Sequence, residues 1–332
     1  MWTTLAGNVF IMRKISIIFF LFLFSHKSGF TQPPAYRNVD SIMRQYKEKI
    51  KSFDELYKVV YFIRNTFNAD SLRLRASFIW ITENISYDID GFEKEDPRSS
   101  MLNYVIKNKK AVCGGYASLL KFFCDAFRID CIIITGRARS SKRDINISQS
   151  NLRSNHAWNA VKINNNWRLI DPTWATGVVD ETDENNFKFY KNYAEEYFFT
   201  SPEKMIFNHF PDQYQYQYLA KAVPSTKFKK WPLFTTLFIG DSITEIYPDT
   251  SLIKAKVGDT IHFKMKTHIK TTFMCLAAEN FKKPGYSGIV TREGEWLKFD
   301  YPVKASGNYN LYLGYCIPER LFPIVVYRFE VK

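Results

Sequence analysis

The chain has 332 residues, 46% of them hydrophobic and 17% aromatic, and a formal charge of +13. That content suffices for one large or two ordinary buried cores, and the absence of low-complexity tracts or a fixed period excludes a disordered, collagen-like or solenoid chain. The lysines are scattered with no nucleic-acid motif beside them, so the basic balance suits an anionic surface such as the cell envelope, and no nucleic-acid partner is expected.

Residues 1–31 differ in kind from the rest. From Met12, an alternative start, "MRKISIIFFLFLFSHKSGFTQ" runs from positive charge through a short apolar centre to the small residues Gly29 and Thr31 before Gln32. This is the pattern of a secretory signal peptide. The apolar run Ile15 to Phe24 is too short to span a bilayer, so the chain is expected to be exported to the periplasm, cell surface or medium, and not membrane-spanning. Arg13, Lys14 and Lys27 supply three of the positive charges, leaving +10 on residues 32–332.

From Val39 to about Ile85 the apolar spacing is helical: "FDELYKVVYFIRNTF" aligns Leu56, Val59, Val60, Ile63 and Phe67 on one stripe, and "SLRLRASFIWITENI" repeats the pattern. "DGFEKEDPRSS" reads as a loop, followed by a short helix over 99–107. "CGGYASLLKFFCDAF" opens another helix at Cys113, whose Leu119, Leu120, Phe122, Phe123, Ala126 and Phe127 form a wide apolar surface. The period then changes. "CIIITGRA", "HAWNAVKI" and "NWRLID" are β-branched or alternating runs that predict an antiparallel sheet against that helix, an α+β arrangement. Residues 201–235, rich in Pro, Tyr and Lys, read as a packed connector. Beyond it, "TIHFKMKTH", "TFMCLAAE", "EWLKFDYPV", "NYNLYLGYC" and "VVYRFEVK" alternate between turns, as in an immunoglobulin-like β-sandwich over 236–332, with Tyr309 placed like a tyrosine corner before Leu311.

Five cysteines cannot all pair. Cys124 and Cys131 fall in apolar runs and read as core, while Cys275 and Cys316 are left as either paired or free. Cys113 stands at a helix start, where unpaired backbone N–H groups lower a thiol's pKa. Gly114 and Gly115 behind it are expected to leave the helix end open to a substrate and its N–H groups free for an oxyanion. A thiolate nucleophile needs a base held by a carboxylate, and His156, at the start of one predicted strand, and Asp171, at the end of the next, supply both. Geometry sets a condition on this: with an even turn in "KINNNWRL", Trp158 pairs with Asp171 and His156 shares Asp171's face, whereas an odd turn without a bulge separates them.

"AVCGGYASLLKFFCDAFRIDCIIITG" followed by "NHAWNAVKINNNWRLIDPTW" resembles the core of the transglutaminase-like superfamily, and the flanking "ASFIWITENISYDIDGF" and "YFFTSPEKMIFNHFPDQYQYQYL" resemble its kyphoscoliosis-peptidase branch. The resemblance covers about 55 to 235. It implies a papain-like core within residues 32–200, Cys113 as nucleophile, His156 as general base then acid, Asp171 as the orienting carboxylate, and no cofactor. The implied reaction is attack on a peptide or side-chain amide through a thioester, resolved by water or by an amine; both remain open, with hydrolysis favoured by the open helix end. A protein or peptide is then the substrate. The competing reading is a catalytically silent binding scaffold whose sandwich contacts a partner.

Trp158 and Trp174 are candidates to line a substrate groove, against a simpler role in the core. His209 in "FNHFP" reads as structural. His262 and His268 are too far apart to share a metal, and no metal-ligand spacing occurs, so no metal is expected. Tyr87 and Asp88 lie in the resembling text without a role legible from spacing, and residues 32–54 are long enough to mask the site with no motif that says they do.

Overall fold

The computed structural model describes residues 33–140, 144–145, 153–180, 186–240, 243–268, 274–279, 290–317 and 320–332; the expected signal peptide lies outside them. Among the described residues no helix is long and apolar enough to cross a membrane.

The helical pattern resolves into α1 (Pro34–Gln45), α2 (Leu56–Thr66) and α3 (Asp70–Asn84). The stripe Leu56, Val59, Val60, Ile63 and Phe67 is buried as its spacing predicts, and α3 is buried continuously from Leu74 to Thr82. A two-stranded parallel pair follows, β1 (Ser86–Tyr87) with β2 (Lys110–Ala111). Between them lie α4 (Ile89–Glu93), a tight turn at Pro97–Ser100 and α5 (Leu102–Asn108). The helix α6 (Cys113–Phe127) is the hub: its Trp80–Phe123 contact with α3 (ring centroids 5.6 Å apart) closes one side, and a sheet closes the other. Cys124 and Cys131 are buried, as their apolar surroundings predict.

That sheet is built from β3 (Cys131–Ala138), β4 (His156–Ile163) and β5 (Asn166–Ile170), with α7 (Pro172–Thr176) directly after β5. A separate hairpin, β6 (Gly177–Asp180) and β7 (Lys188–Lys191), follows. The strands β8 (Phe198–Thr200) and β9 (His209–Pro211) complete an antiparallel order β8-β5-β4-β3-β9. Ile163 faces Asn166, so β4 and β5 are joined by two residues, Asn164 and Asn165, with φ of 52° and 61°. Two left-handed residues make the hairpin turn whose twist matches the strands, and asparagine tolerates that conformation. The turn is even.

The stretch 201–235 does more than connect. After α8 (Pro202–Met205) it supplies β9 to the first sheet, and after α9 (Ser225–Lys230) it supplies β10 (Leu233–Phe234) to a later one. Arg139, 1% exposed, donates to the carbonyls of Phe228 (2.9 Å) and Trp231 (3.0 Å), which fixes the stretch on the end of β3. Past α10 (Thr236–Gly240), the strands β11 (Ile243–Tyr247), β12 (Leu252–Ala255), β13 (Thr260–Thr267), β14 (Met274–Ala278), β15 (Thr291–Glu293), β16 (Trp296–Pro302), β17 (Gly307–Ile317) and β18 (Arg320–Val331) form two sheets. One runs β11-β13-β16-β15, the other β10-β18-β17-β14 with β12 parallel to β18. They pack through Phe263 on Tyr327 (5.0 Å) and Tyr301 on Phe329 (5.5 Å).

Cys275 and Cys316, left open by the sequence, are disulfide-bonded, with Cα atoms 5.9 Å apart. The tyrosine-corner expectation is corrected. Tyr309 stacks on Phe329 (5.4 Å, 15°) with its hydroxyl turned toward Tyr301, and the tyrosine that bonds backbone is Tyr327, to the Pro248 carbonyl at 3.0 Å. His262 and His268 lie at the surface, paired with Asp300 (2.7 Å) and Glu295 (3.2 Å).

Residues 34–45 dock on α3 through charge as well as apolar packing. Arg75, wholly buried on α3, makes two 2.7 Å bonds to Asp40 of α1 and bonds of 2.8 and 2.7 Å to Glu195, with its guanidinium 4.7 Å from the Phe198 ring. Removing one member of a buried ion network leaves the others uncompensated. Arg75→Met should lower unfolding free energy by about 3–5 kcal/mol in urea titrations, far beyond the loss from an exposed pair such as Lys58–Glu48.

Candidate active site

Asp171 immediately follows β5 and is the N-cap of α7, with Pro172 at the first helical position, where its missing N–H costs nothing. The carboxylate is fully buried. Its Oδ1 accepts from the backbone N–H groups of Thr173 (2.8 Å) and Trp174 (3.1 Å), and its Oδ2 meets His156 Nε2 at 2.6 Å. The hairpin register explains the meeting: Asn159 pairs with Ile170, so the next step sets Asp171 opposite Trp158 and beside His156.

With Nε2 engaged by Asp171, His156 has Nδ1 left, and its ring and the Ala157 backbone N–H lie near enough to the Cys113 sulfur to favour its ionised form. The structure thus brings Cys113, His156 and Asp171 together. Cys113 is half-buried, whereas the free thiols Cys124 and Cys131 are buried. Burial opposes ionisation of the Cys113 thiol, but the bond to His156, the charge of His156 and the Ala157 N–H together hold its pKa below the ordinary thiol value. Burial likewise opposes charge on His156, yet the Asp171 charge and bond, aided by Cys113, push its pKa up to about 10. Burial would raise Asp171; the two histidines outweigh it and keep the carboxyl well below the usual carboxylate range.

The four expected substrate-contact residues divide. Gly114 and Trp174 are half-buried and border Cys113 and His156, Trp174 lying 5.6 Å from the His156 ring. Trp158 is corrected to core: it is 1% exposed and stacked beside His156 at 6.0 Å, with no surface to offer a ligand. Gly115 is also corrected. A Cβ there would stand 2.6 Å from the Ser99 carbonyl oxygen and 2.9 Å from Val105 Cγ2, so this glycine admits the Pro97–Ser100 turn against the helix and opens nothing to a substrate. Its N–H already bonds the Val112 carbonyl at 2.9 Å. The N–H groups of Cys113 and Gly114, at the first two helical positions, are the ones a helix start leaves for an oxyanion.

Asp88, roleless in the sequence, anchors that turn. It is 1% exposed and accepts from Ser99 Oγ (2.6 Å), Tyr104 OH (3.1 Å) and the Gly91 N–H (3.2 Å), while the Val112 N–H bonds the Ser99 carbonyl at 3.2 Å just before Cys113.

The residue that sequence reasoning missed is His209. On edge strand β9, beside β3, it places Nε2 3.0 Å from the same Asp171 Oδ2. Its only sequence signal was a polar imidazole inside an apolar "FNHFP" run. The ligand-type atoms of His156, Asp171 and His209 lie within 4.8 Å of one another. However, the 2.6 Å contact between His156 and Asp171 is a hydrogen-bond distance, shorter than the roughly 3.3 Å that separates tetrahedral zinc ligands at ordinary bond lengths, so the trio is a proton network.

The thiolate–imidazolium pair exists between the lowered thiol pKa and the raised imidazole pKa. Alkylation of Cys113 by iodoacetamide should therefore reach its plateau below about pH 8.5, the ordinary thiol value, and hold it until His156 deprotonates near pH 10. In His156→Ala the midpoint should return to the ordinary thiol range and the rate at pH 6 should drop, about tenfold for every pH unit by which the midpoint rises. Mass spectrometry of the alkylated peptide follows both.

A family model of the transglutaminase-like superfamily matches residues 58–172. The kyphoscoliosis peptidase of Mus musculus is 30% identical over 207 residues, covering 62% of this chain and 31% of that protein, and the Homo sapiens protein is 30% identical over 213 residues, covering 64% and 32%. Hillarin of Drosophila melanogaster is 23% identical over 220 residues, 63% of this chain and 26% of that protein. The chain thus spans about a third of the length of the kyphoscoliosis peptidases it matches. Residues 58–172 include Cys113, His156 and Asp171, and this part of the chain carries a transglutaminase-like domain.

Proposed function

We propose that the protein is a cysteine-dependent hydrolase or acyl-transferase acting on peptide or side-chain amides, with Cys113 as nucleophile, His156 as general base then acid, and Asp171 as the orienting carboxylate. One observation carries the reading: a half-buried thiol at a helix start beside an imidazole whose Nε2 is 2.6 Å from a buried carboxylate. The Cys113 thiolate attacks the amide carbonyl carbon, and the developing oxyanion meets the Cys113 and Gly114 N–H groups at the helix start. His156 gives its proton to the leaving nitrogen, the C–N bond breaks, and a thioester remains on the sulfur. His156 then takes a proton from water or from an amine, which attacks the thioester and frees the thiol. Asp171 keeps the ring oriented and stabilises its positive charge throughout.

The proposal extends to the rest of the chain. Export is supported by the Cys275–Cys316 disulfide, a bond that persists in oxidising compartments. Residues 32–200 form the core unit, and 236–332 an immunoglobulin-like unit, supported by the two face-packed sheets, antiparallel but for the β12–β18 pair.

Incubation of the protein with a glutamine- and lysine-containing peptide pool, read by intact-mass and peptide mass spectrometry, should show an acyl adduct on Cys113 and products of hydrolysis. Cys113→Ala should abolish both, a loss of at least about a thousandfold on the scale of other nucleophile removals. Cross-linked products without cleavage would replace hydrolysis by transfer. No adduct, together with ordinary thiol reactivity at Cys113, would leave the scaffold reading.

A further inference from the structure

His209 makes no contact that the attack itself requires, yet it is bound on both sides. It is 1% exposed, with Nε2 3.0 Å from Asp171 Oδ2 and Nδ1 2.6 Å from the side-chain amide oxygen of Asn208. Asn208, wholly buried, reaches the Tyr197 hydroxyl at 3.3 Å, and that hydroxyl meets Thr236 Oγ1 at 3.3 Å. Around the ring stand Trp174 (4.5 Å), Trp158 (5.0 Å, edge-on) and Tyr197 (6.0 Å).

We propose that His209 is a positioning residue for the reaction: an uncharged imidazole with its single hydrogen on Nε2, which it donates to Asp171 so that the carboxylate stays aligned on His156. The proposal rests on the catalytic reading of Cys113, His156 and Asp171.

A hydrogen count supports it. A carboxylate oxygen only accepts, so His209 Nε2 must carry a hydrogen. Two states then satisfy Nδ1. In one, the ring is an imidazolium that also donates to the Asn208 oxygen. In the other, the ring is neutral and Nδ1 accepts from the Asn208 NH2 group. The first state sets a second cation 5.2 Å, centroid to centroid, from the His156 ring that must itself be charged, deep inside the protein. The second requires only a half-turn of the Asn208 amide, which exchanges two groups of nearly the same shape and turns the oxygen to the Tyr197 hydroxyl. Donation then runs one way, from Tyr197 through Asn208 and His209 to Asp171, and every member is satisfied.

The ionisable groups facing His209 are Asp171, His156 and Tyr197. Burial lowers its pKa to about 4, with Asp171 opposing and His156 assisting. Because Oδ1 is tied to two backbone N–H groups and Oδ2 to two imidazoles, a rotation of Asp171 away from His156 breaks the bonds to Thr173, Trp174 and His209 together. The relay's far end, Thr236, begins α10, so the orientation of the carboxylate depends on the seating of the segment that leads into the C-terminal sheets.

The test uses the whole protein labelled with 15N-histidine and titrated from pH 8 to pH 4 by NMR, with His209 assigned by its loss in His209→Phe. The expected spectrum has His209 singly protonated on Nε2 down to below about pH 5 while His156 stays doubly protonated; a doubly protonated His209 at pH 7 overturns the proposal. The second readout is the pH profile of Cys113 alkylation. In folded His209→Phe the rate at pH 6 should fall roughly tenfold to a hundredfold, by analogy with the loss of outer hydrogen-bond partners of metal-ligating residues, and the midpoint should rise. His209→Gln, which keeps an N–H donor, should recover most of the loss. A folded His209→Phe with the wild-type profile overturns the proposal even where wild-type Cys113 is highly reactive. An ordinary thiol midpoint in the wild type instead sinks the catalytic reading, before any His209 variant is compared.

Discussion

The structure depends on one buried carboxylate. Charge taken out of water is costly unless every lone pair finds a donor, and Asp171 finds four: two backbone N–H groups at the start of α7 and two imidazole nitrogens. Each donor arrives by a different route through the chain. The α7 amides follow Asp171 directly, His156 comes by the register of the β4–β5 hairpin, and His209 comes from a strand added to the far edge of the sheet. Fixing Asp171 therefore fixes the relation of three elements, and the imidazole that meets the thiol inherits that rigidity.

The thiol's end of the site is built by close approach. Gly115 carries no side chain because the Ser99 carbonyl occupies the space, and Asp88 holds Ser99 there by bonds to its hydroxyl and to Tyr104. Packing is dense behind the helix start, while Cys113, Gly114 and Trp174 on its other side stay half-buried. A thiol at such a place combines the helix-end potential with the nearby Ala157 N–H and a charged neighbour, His156.

The stretch 201–235 unites the two halves of the chain. It lends β9 to one sheet and β10 to another, while Arg139 binds its carbonyls and Phe207 packs among Trp231, Phe234 and Phe238. The C-terminal sheets thereby share a junction with the sheet that carries His156 and His209, and the Tyr197–Thr236 contact crosses it.

Local chemistry made much of this legible before any coordinates. Apolar period located α2, α3 and α6, β-branched alternation located β3 to β5, and a cysteine at a helix start with His156 and Asp171 on successive strands marked the candidate triad, on the condition of an even hairpin turn that Asn164 and Asn165 meet. These features are encoded within a few residues, where spacing decides which side chains share a face. What only the tertiary structure decided depends on which surfaces meet: His209 joining Asp171 from 38 residues away, Trp158 sealed in the core, Gly115 serving a neighbouring turn, Tyr309 stacked rather than bonded to backbone, and Cys275 paired with Cys316. A sequence states how each element is patterned, but burial and partnership are properties of two elements at once, and they come into being only when packing brings distant segments within hydrogen-bond reach.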